Sequence, residues 1–394
     1  MLTSRLVKGE VKRPTIADVA REAGVSQASV SFALNGQRGV SESTRRRVIA
    51  IAKEIGWNPN GAARALSGAA SNTIGIALRR PARILGIEPF FMELISGVEA
   101  ELSTRSYALT LQVVADQAAE LAVYRRWWGE RRVDGVLVCD LRVDDPRIHV
   151  LEELALPTVV LGAAAGSRSL GNVWSDDAAA IVEAVEYLAA LGHRRIARVG
   201  GLPELLHTAI RTDAFADSCR RMGVEAAVTI SSDYTGEEGA RATRRLLSSA
   251  DRPTAVIYDN DIMAVAGLGV AHEMGLSVPG DVSLVAWDDS PLCQLVHPAL
   301  TALSRDIPEY GAIAARQLLS VIAGASAESI QDDAPHLVTR GSTAAPSPKP
   351  SSAKTPAART PAARTPAART PAAKTPAAKT PAVKRPTRSS RAAG

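Results

Sequence analysis

Gln27 and Ala28 directly follow Ser26, and Phe32 comes one helical turn later. On a helix whose N-terminus enters the major groove of DNA, these side chains reach base edges. The amide of Gln27 can pair bidentately with adenine or make single hydrogen bonds elsewhere. Ala28 offers only a methyl contact, which suits the methyl group of thymine. Phe32 either packs inward or presents an apolar edge to a thymine methyl. Val30, Ala33 and Leu34 already fill the inward face, which favours the outward reading. Ser26, Ser29 and Asn35 suit phosphate oxygens, and such contacts position a protein on DNA rather than select a sequence. Thr15, at the start of the preceding helix, is counted with them.

Three short helices must hold this set. Thr15 can cap one that begins at Ile16, with Asp18 at the capping-box position, although Glu or Gln is usual there. Ile16, Val19, Ala20 and Ala23 share one face at helical spacing, and Gly24 breaks the helix. Ser26 can cap a second helix running to about Leu34. Two short helices joined by a glycine-containing turn have the form of a helix-turn-helix, a spacing that an ordinary three-helix bundle shares. Ser41 can cap a third helix, Glu42 to Ile55, stopped by Gly56. Arg45, Arg46 and Arg47 on it read as a solvated or phosphate-facing charge run.

The net charge of +5 over 394 residues hides an uneven distribution. Residues 1–68 carry 11 basic and 5 acidic side chains, residues 69–345 carry 24 and 36, and residues 346–394 carry 11 basic and none acidic. An acidic body between basic ends points to a nucleic-acid partner for those ends. Enzyme chemistry is not indicated. The six histidines lack metal-ligand spacing, no G-x-S-x-G string occurs, and no phosphate-binding glycine loop opens a helix. Neither metal nor cofactor is expected. Cys139, Cys219 and Cys293 are too few and scattered for a disulfide framework or zinc site, and they fit a reducing cytoplasm. No secretory signal is read at the N-terminus, and no apolar run is long enough to span a membrane.

The middle of the chain alternates short apolar runs with longer amphipathic ones. TIGIAL, DGVLVC, PTVVLG, RIARVG, TAVIYD and VSLVAW read as buried parallel strands. Helical stretches are expected over Met92–Ser103, Ala178–Leu191, Thr212–Met222, Glu237–Ser249, Asp261–Met274 and Tyr310–Ile322. This predicts an α/β body with parallel sheets, long enough for two lobes. From Thr355 to Lys384 the chain repeats TPAAR three times, TPAAK twice and TPAVK once. Proline at every fifth residue opposes a helix, and little larger than alanine is present to bury, so a disordered, extended tail is expected.

The string PTIADVAREAGVSQASVSFALN, followed by RGVSESTRRRVIAIAKEIGWNPN, closely resembles the LacI/GalR (lactose-repressor) family of bacterial transcription regulators. VDGVLV, YLAALGHRRIARVGG, PTAVIYDND, MGLSVPGDVSLVAWDD and HPALTAL continue the likeness in family order, from about Arg13 to Arg340. The resemblance implies a small all-α helix-turn-helix headpiece and a two-lobed α/β core like that of type I periplasmic binding proteins. The divisions are then an N-terminal extension (1–12), the DNA-binding domain (13–57), a hinge (58–71), an effector-binding and dimerisation core (72–343) and the basic tail (344–394). By this likeness position 32 usually carries Arg, a guanine reader. Phe32 departs from that pattern, so the guanine contact is not carried over. Residues 58–68 match a hinge that becomes helical on the operator. Leu66 matches the residue that wedges the central base step in the minor groove, and Ala63 matches the close contact beside it. Asn60 is placed at the DNA with them.

In the core, the resemblance implies a small polar effector, with a sugar or sugar derivative as the leading class. Phe90 and Phe91 could stack on a ring, and Arg211 could fork to hydroxyls or a carboxylate. Asn260 and Asp288 could bind hydroxyls, and Trp287 could wall the site. Asp261 and Asp289 read equally as helix or turn caps. Gly162 stands where sugar-binding relatives often have Asp, and Cys139 and Asp140 stand where some place Asn. His207 falls near the expected pocket but reads as a surface-loop histidine.

The chain thus reads as a cytoplasmic, nucleoid-associated homodimer. It would bind a pseudo-palindromic double-stranded operator sequence-specifically and repress under control of its ligand, by induction or corepression. The tail resembles the Lys/Ala/Pro tails of linker histones and some actinobacterial nucleoid proteins. It suggests DNA-backbone binding without sequence preference, and with it a second reading, an architectural DNA-binding protein dominated by the tail.

Overall fold

The computed structural model describes residues 13–34, 36–57, 70–80, 85–163 and 170–347. The first three helices are α1 (Ile16–Ala23), α2 (Gln27–Leu34) and α3 (Glu42–Glu54). Thr15 and Asp18 form the reciprocal capping box at α1, so a shorter acid serves where Glu is usual. Gly24 ends α1 at φ 63°, a left-handed conformation that glycine adopts without strain. Ser26 Oγ accepts from the Ser29 amide at 3.1 Å, and Ser41 Oγ accepts from the Thr44 amide, so both serines cap as expected. Val19, Ala20, Ala23, Val30, Ala33, Val48 and Ala52 form the small core.

The first lobe is built on β1 (Thr73–Leu78), α4 (Pro89–Thr104), β2 (Ala108–Val113), α5 (Gln117–Gly129), β3 (Gly135–Val138), α6 (Pro146–Glu153), β4 (Thr158–Leu161) and β5 (Gly171–Trp174). The chain then enters the second lobe through α7 (Asp177–Ala190), β6 (Arg195–Gly200), α8 (Leu206–Arg221), β7 (Ala226–Ser231) and α9 (Gly236–Leu247). The second lobe continues with β8 (Ala255–Tyr258), α10 (Asp261–Glu273), β9 (Ser283–Trp287), α11 (Pro291–Leu295) and β10 (Thr301–Ser304). It returns to the first lobe for α12 (Ile307–Ile322) and β11 (Ser329–Gln331), and crosses again to β12 (His336–Val338). One sheet has the order β11-β5-β4-β3-β1-β2 and the other β12-β10-β9-β8-β6-β7. Within them the pairings are parallel, except that β12 runs antiparallel to β10.

The six expected strands are the central ones. β1, β3, β4, β8 and β9 are buried almost throughout because helices cover both faces. The edge strands β2 and β7 alternate or expose their residues and carry no continuous apolar run. Two glycines fix α4 against α12. A Cβ on Gly97 would collide with the Pro308 carbonyl, and one on Gly311 with the Leu94 carbonyl. This close approach sets the middle of α4 against the first turns of α12, just past the second lobe crossing. At the other end of the core, hydrogen bonding to the second lobe runs past Thr343: the Ala344 amide donates to Ser283 Oγ and Ser347 Oγ donates to the Gly280 carbonyl.

Candidate DNA-reading surface and ligand cavity

On α2, Gln27 and Ala28 are exposed and Ser29 is half-buried. Phe32 is 40% exposed, so its ring does not join the small core. Gly39, at φ 127°, gives the ring room, since a Cβ there would come within 3.1 Å of it. The Thr15 hydroxyl donates to Asp18 at 2.7 Å, and the Ser26 and Ser29 hydroxyls lie 2.9 Å apart. These three groups therefore build helix starts, and a phosphate contact would be a second duty. Asn35, Asn60, Ala63 and Leu66 lie outside the described residues, as does the tail from residue 348.

A cavity of about 150 Å³ lies between the two lobes. The walls come largely from residues just past the ends of parallel strands: Arg80 after β1, Asp140 after β3, Gly162 after β4, Asp259 after β8, Asp288 after β9 and Arg305 after β10. That is where open α/β sheets bind ligands. Asp140 and Asp288 have φ of 52° and 60°, which turns the chain sharply at the cavity.

Of the sequence-selected residues, Phe90, Arg211, Asn260 and Asp288 line the cavity. Phe91 and Trp287 do not, which corrects the expectation for both. Phe91 is 2% exposed and belongs to the first lobe's core. Trp287 is fully buried in the second lobe, and the Arg211 guanidinium sits 3.5 Å above its ring. Arg211 Nε also donates to Asp177 at 2.9 Å. Both ends of the Asn260 amide are occupied: Oδ1 accepts from the Met263 amide at 2.9 Å, and Nδ2 donates to the Tyr234 carbonyl at 3.0 Å. Asn260 therefore caps α10 as well as bordering the cavity. Asp261 bonds to Ser290, and Asp289 pairs with Arg340 at 2.6 Å, so both act within the second lobe.

The sequence suggests a surface-loop position for His207, but it lies in the first turn of α8 and lines the cavity. Its Nε2 is 2.7 Å from Tyr234 Oη. Burial and the nearby Arg211 push its pKa down to about 4, so the ring is neutral at pH 7. The further wall residues that sequence reasoning passed over include Arg80, Glu88, Asp177, Tyr234 and Arg305. Arg80 holds Asp140 through two hydrogen bonds of 2.9 and 3.1 Å. Burial would raise the Asp140 carboxyl, but Arg80 and the neighbouring positive groups hold it below the usual range. Burial raises Glu88 to about 7 and Asp288 to about 6. Glu88 Oε2, Asp288 Oδ1 and Arg305 Nε make no hydrogen bond. Buried polar atoms of this kind are costly unless something satisfies them, and a polar ligand would. The lobes also meet beside the cavity, where the Leu206 amide donates to the Leu141 carbonyl at 2.7 Å and the Val143 amide to the Glu204 carbonyl at 3.2 Å.

Residues 15–60 match the model for bacterial regulatory proteins of the lacI family, and residues 185–343 match that for a periplasmic binding protein-like domain. Catabolite control protein A of Priestia megaterium is 30% identical over 328 residues, covering 82% of this chain and 97% of its own. The chain belongs to the LacI family. The solved complex of the transcriptional regulator CelR with cellobiose is 29% identical with a TM-score of 0.65, over 84% of this chain and all of that one. The lac repressor dimer bound to operator and the anti-inducer ONPF is 25% identical with a TM-score of 0.73, over 85% of this chain and all of that one. This LacI-family chain is accordingly a DNA-binding transcription regulator with a ligand-binding core, and its relatives are regulators rather than enzymes. Among the described residues no helix is long and apolar enough to cross a membrane.

Proposed function

We propose that this regulator represses transcription from a pseudo-palindromic operator and that a small polar ligand, of the sugar class, controls its hold on the DNA. The observation that carries this reading is the cavity to which both lobes contribute. Arg80, Phe90 and Asp140 come from one lobe, and Arg211, Tyr234 and Asp288 from the other. A ligand seated there has an affinity that depends on how the lobes are set, and linkage makes the lobes respond to it. The cellobiose held by CelR supports the sugar class.

At the operator, Gln27, Ala28 and Phe32 read bases, with Phe32 against a thymine methyl in place of a guanine contact. Two chains act together as a homodimer, as the lac repressor does on its operator. The hinge over 58–71 carries Ala63 and Leu66 into the minor groove, and the basic tail adds contacts to the DNA backbone in the cytoplasm. Genome-wide occupancy of the full chain tests the reading. A few sharp palindromic peaks whose occupancy changes when the ligand is supplied support it, and broad, ligand-independent coverage favours the architectural role.

A further inference from the structure

Glu88 stands at the N-cap of α4, before Pro89. It makes no side-chain cap bond here. Its side chain instead joins the cavity wall, the residue is only 6% exposed, and Oε2 has no hydrogen-bond partner. The positive groups around it are committed elsewhere. Arg80 holds Asp140 with both hydrogen bonds, and Arg211 holds Asp177 while stacked on Trp287. Arg305 donates to Ser175 Oγ at 3.0 Å, and its unbonded Nε faces Asp288 Oδ1 at 3.8 Å. Six carboxylates and three guanidiniums line the cavity; Arg198, behind the wall, neutralises Asp259 with two hydrogen bonds, and the carboxylates still outnumber the cations around an incoming anion.

We propose that Glu88 makes this cavity selective for ligands that donate hydrogen bonds and carry no negative charge, with a polyhydroxylated ring as the occupant. The proposal rests on reading the cavity as the effector site. A hydroxyl on the ligand satisfies Glu88 Oε2, and a second can reach Asp288 Oδ1. A carboxylate or phosphate facing these acceptors would leave both unsatisfied and place like charges together, and each lining guanidinium already faces a carboxylate: Arg80 faces Asp140, Arg211 faces Asp177 and Arg305 faces Asp288. Glu88 faces Arg80, which favours its charged form, and Asp140, Asp288 and Asp261, which with burial oppose it. A hydroxyl donor favours the ionised carboxylate. Binding therefore expels a proton, and affinity rises about tenfold between pH 6 and 8.

The test is calorimetry on the full chain with ring-matched probes: hexoses, the corresponding uronates and the corresponding amino sugars, with wild type and Glu88→Gln. The expected result is a neutral hexose that binds about 100-fold more tightly than its uronate. Glu88→Gln, which keeps the shape, should cut that preference to under about tenfold and flatten the rise with pH. A uronate that binds wild type as well as its parent sugar would overturn the proposal, as would a preference unchanged in Glu88→Gln. An amino sugar held as weakly as the uronate would also count against it, since a positive charge meets no like-charge penalty at Glu88. Operator release by the same probes is scored separately. A neutral hexose that binds selectively yet leaves operator affinity unchanged counts against the effector reading and leaves the role of Glu88 standing.

Discussion

The Arg211 guanidinium lies 3.5 Å from the centre of the Trp287 ring while its Nε donates to Asp177 at 2.9 Å. The tryptophan is a buried platform, and the arginine laid upon it forms the cavity surface. Asp177 and Trp287 thus fix the fork before any ligand arrives. Lysine would keep the charge but lose the planar, stacked geometry. Arg211→Lys is expected to weaken ligand binding about 10- to 100-fold while operator affinity without ligand stays near that of wild type. Calorimetry and fluorescence anisotropy together check this, and equal ligand affinity in the variant would count against it.

Phe32 offers a sharper test of base reading. Replacing each operator thymine in turn by uracil removes only a methyl group. One such replacement should cost wild type about 1 kcal/mol. The same replacement should cost Phe32→Ala almost nothing, because the partner is already gone. A uracil penalty that persists in the variant would assign the methyl contact to another residue.

His207 gives a pH signature. Its folded pKa is about 4, against about 6.5 when unfolded. The stability tied to the neutral ring is present above about pH 6.5 and is lost as pH falls toward 4. The loss is on the order of 2–3 kcal/mol. Glu88 and Asp288, whose pKa values are raised, work in the opposite direction, but they cancel in a comparison of wild type with His207→Gln. Urea unfolding at pH 7 and pH 4.5 should show the variant losing less stability than wild type. Identical losses would contradict the assignment.

Gly97 should tolerate no side chain. A Cβ there meets the Pro308 carbonyl, and α4 and α12 cannot move apart without disturbing the cavity edge. Gly97→Ala is expected to destabilise the core by about 2 kcal/mol or more, read as a lower melting temperature. Gly269, around which an added Cβ meets nothing within 4 Å, is the control: Gly269→Ala should leave stability unchanged or raise it. A melting temperature for Gly97→Ala equal to that of wild type would contradict the close approach.

The basic repeats can be tested by deleting residues 348–394. If six of their charges meet phosphates, wild type has a log–log salt slope for DNA binding steeper by about 5 than the deletion. Superimposable slopes would remove the tail from the DNA-binding account.

Much of this was legible in the sequence, for physical reasons that also explain the exceptions. The helix starts at Thr15, Ser26 and Ser41 announce themselves because capping needs particular side chains. Central strands such as β1 and β9 are continuous apolar runs because helices cover both faces. β2 and β7 sit at sheet edges, where half-exposed residues erase that signal. α8 starts at Leu206, six residues before the Thr212 that the sequence suggests, because Leu205 makes no side-chain cap, and His207 is therefore helical and not in a loop. Arg80, Asp259 and Arg305 share a position rather than a motif: each follows a parallel strand, and the strand ends were the signal that could have found them. Glu88 and Asp177 belong instead to helix starts, and no local pattern marks them.

The central claim is that occupancy of the interlobe cavity changes the hold on DNA. Fluorescence anisotropy of the full chain on its highest-occupancy genomic site, with and without the tightest-binding sugar, measures this directly. A coupling of about 1–3 kcal/mol would appear as a shift of roughly 5- to 150-fold in operator Kd at saturating ligand, and Arg211→Lys should reduce the response at the same ligand concentration. An operator Kd that stays the same with the cavity filled would contradict the account.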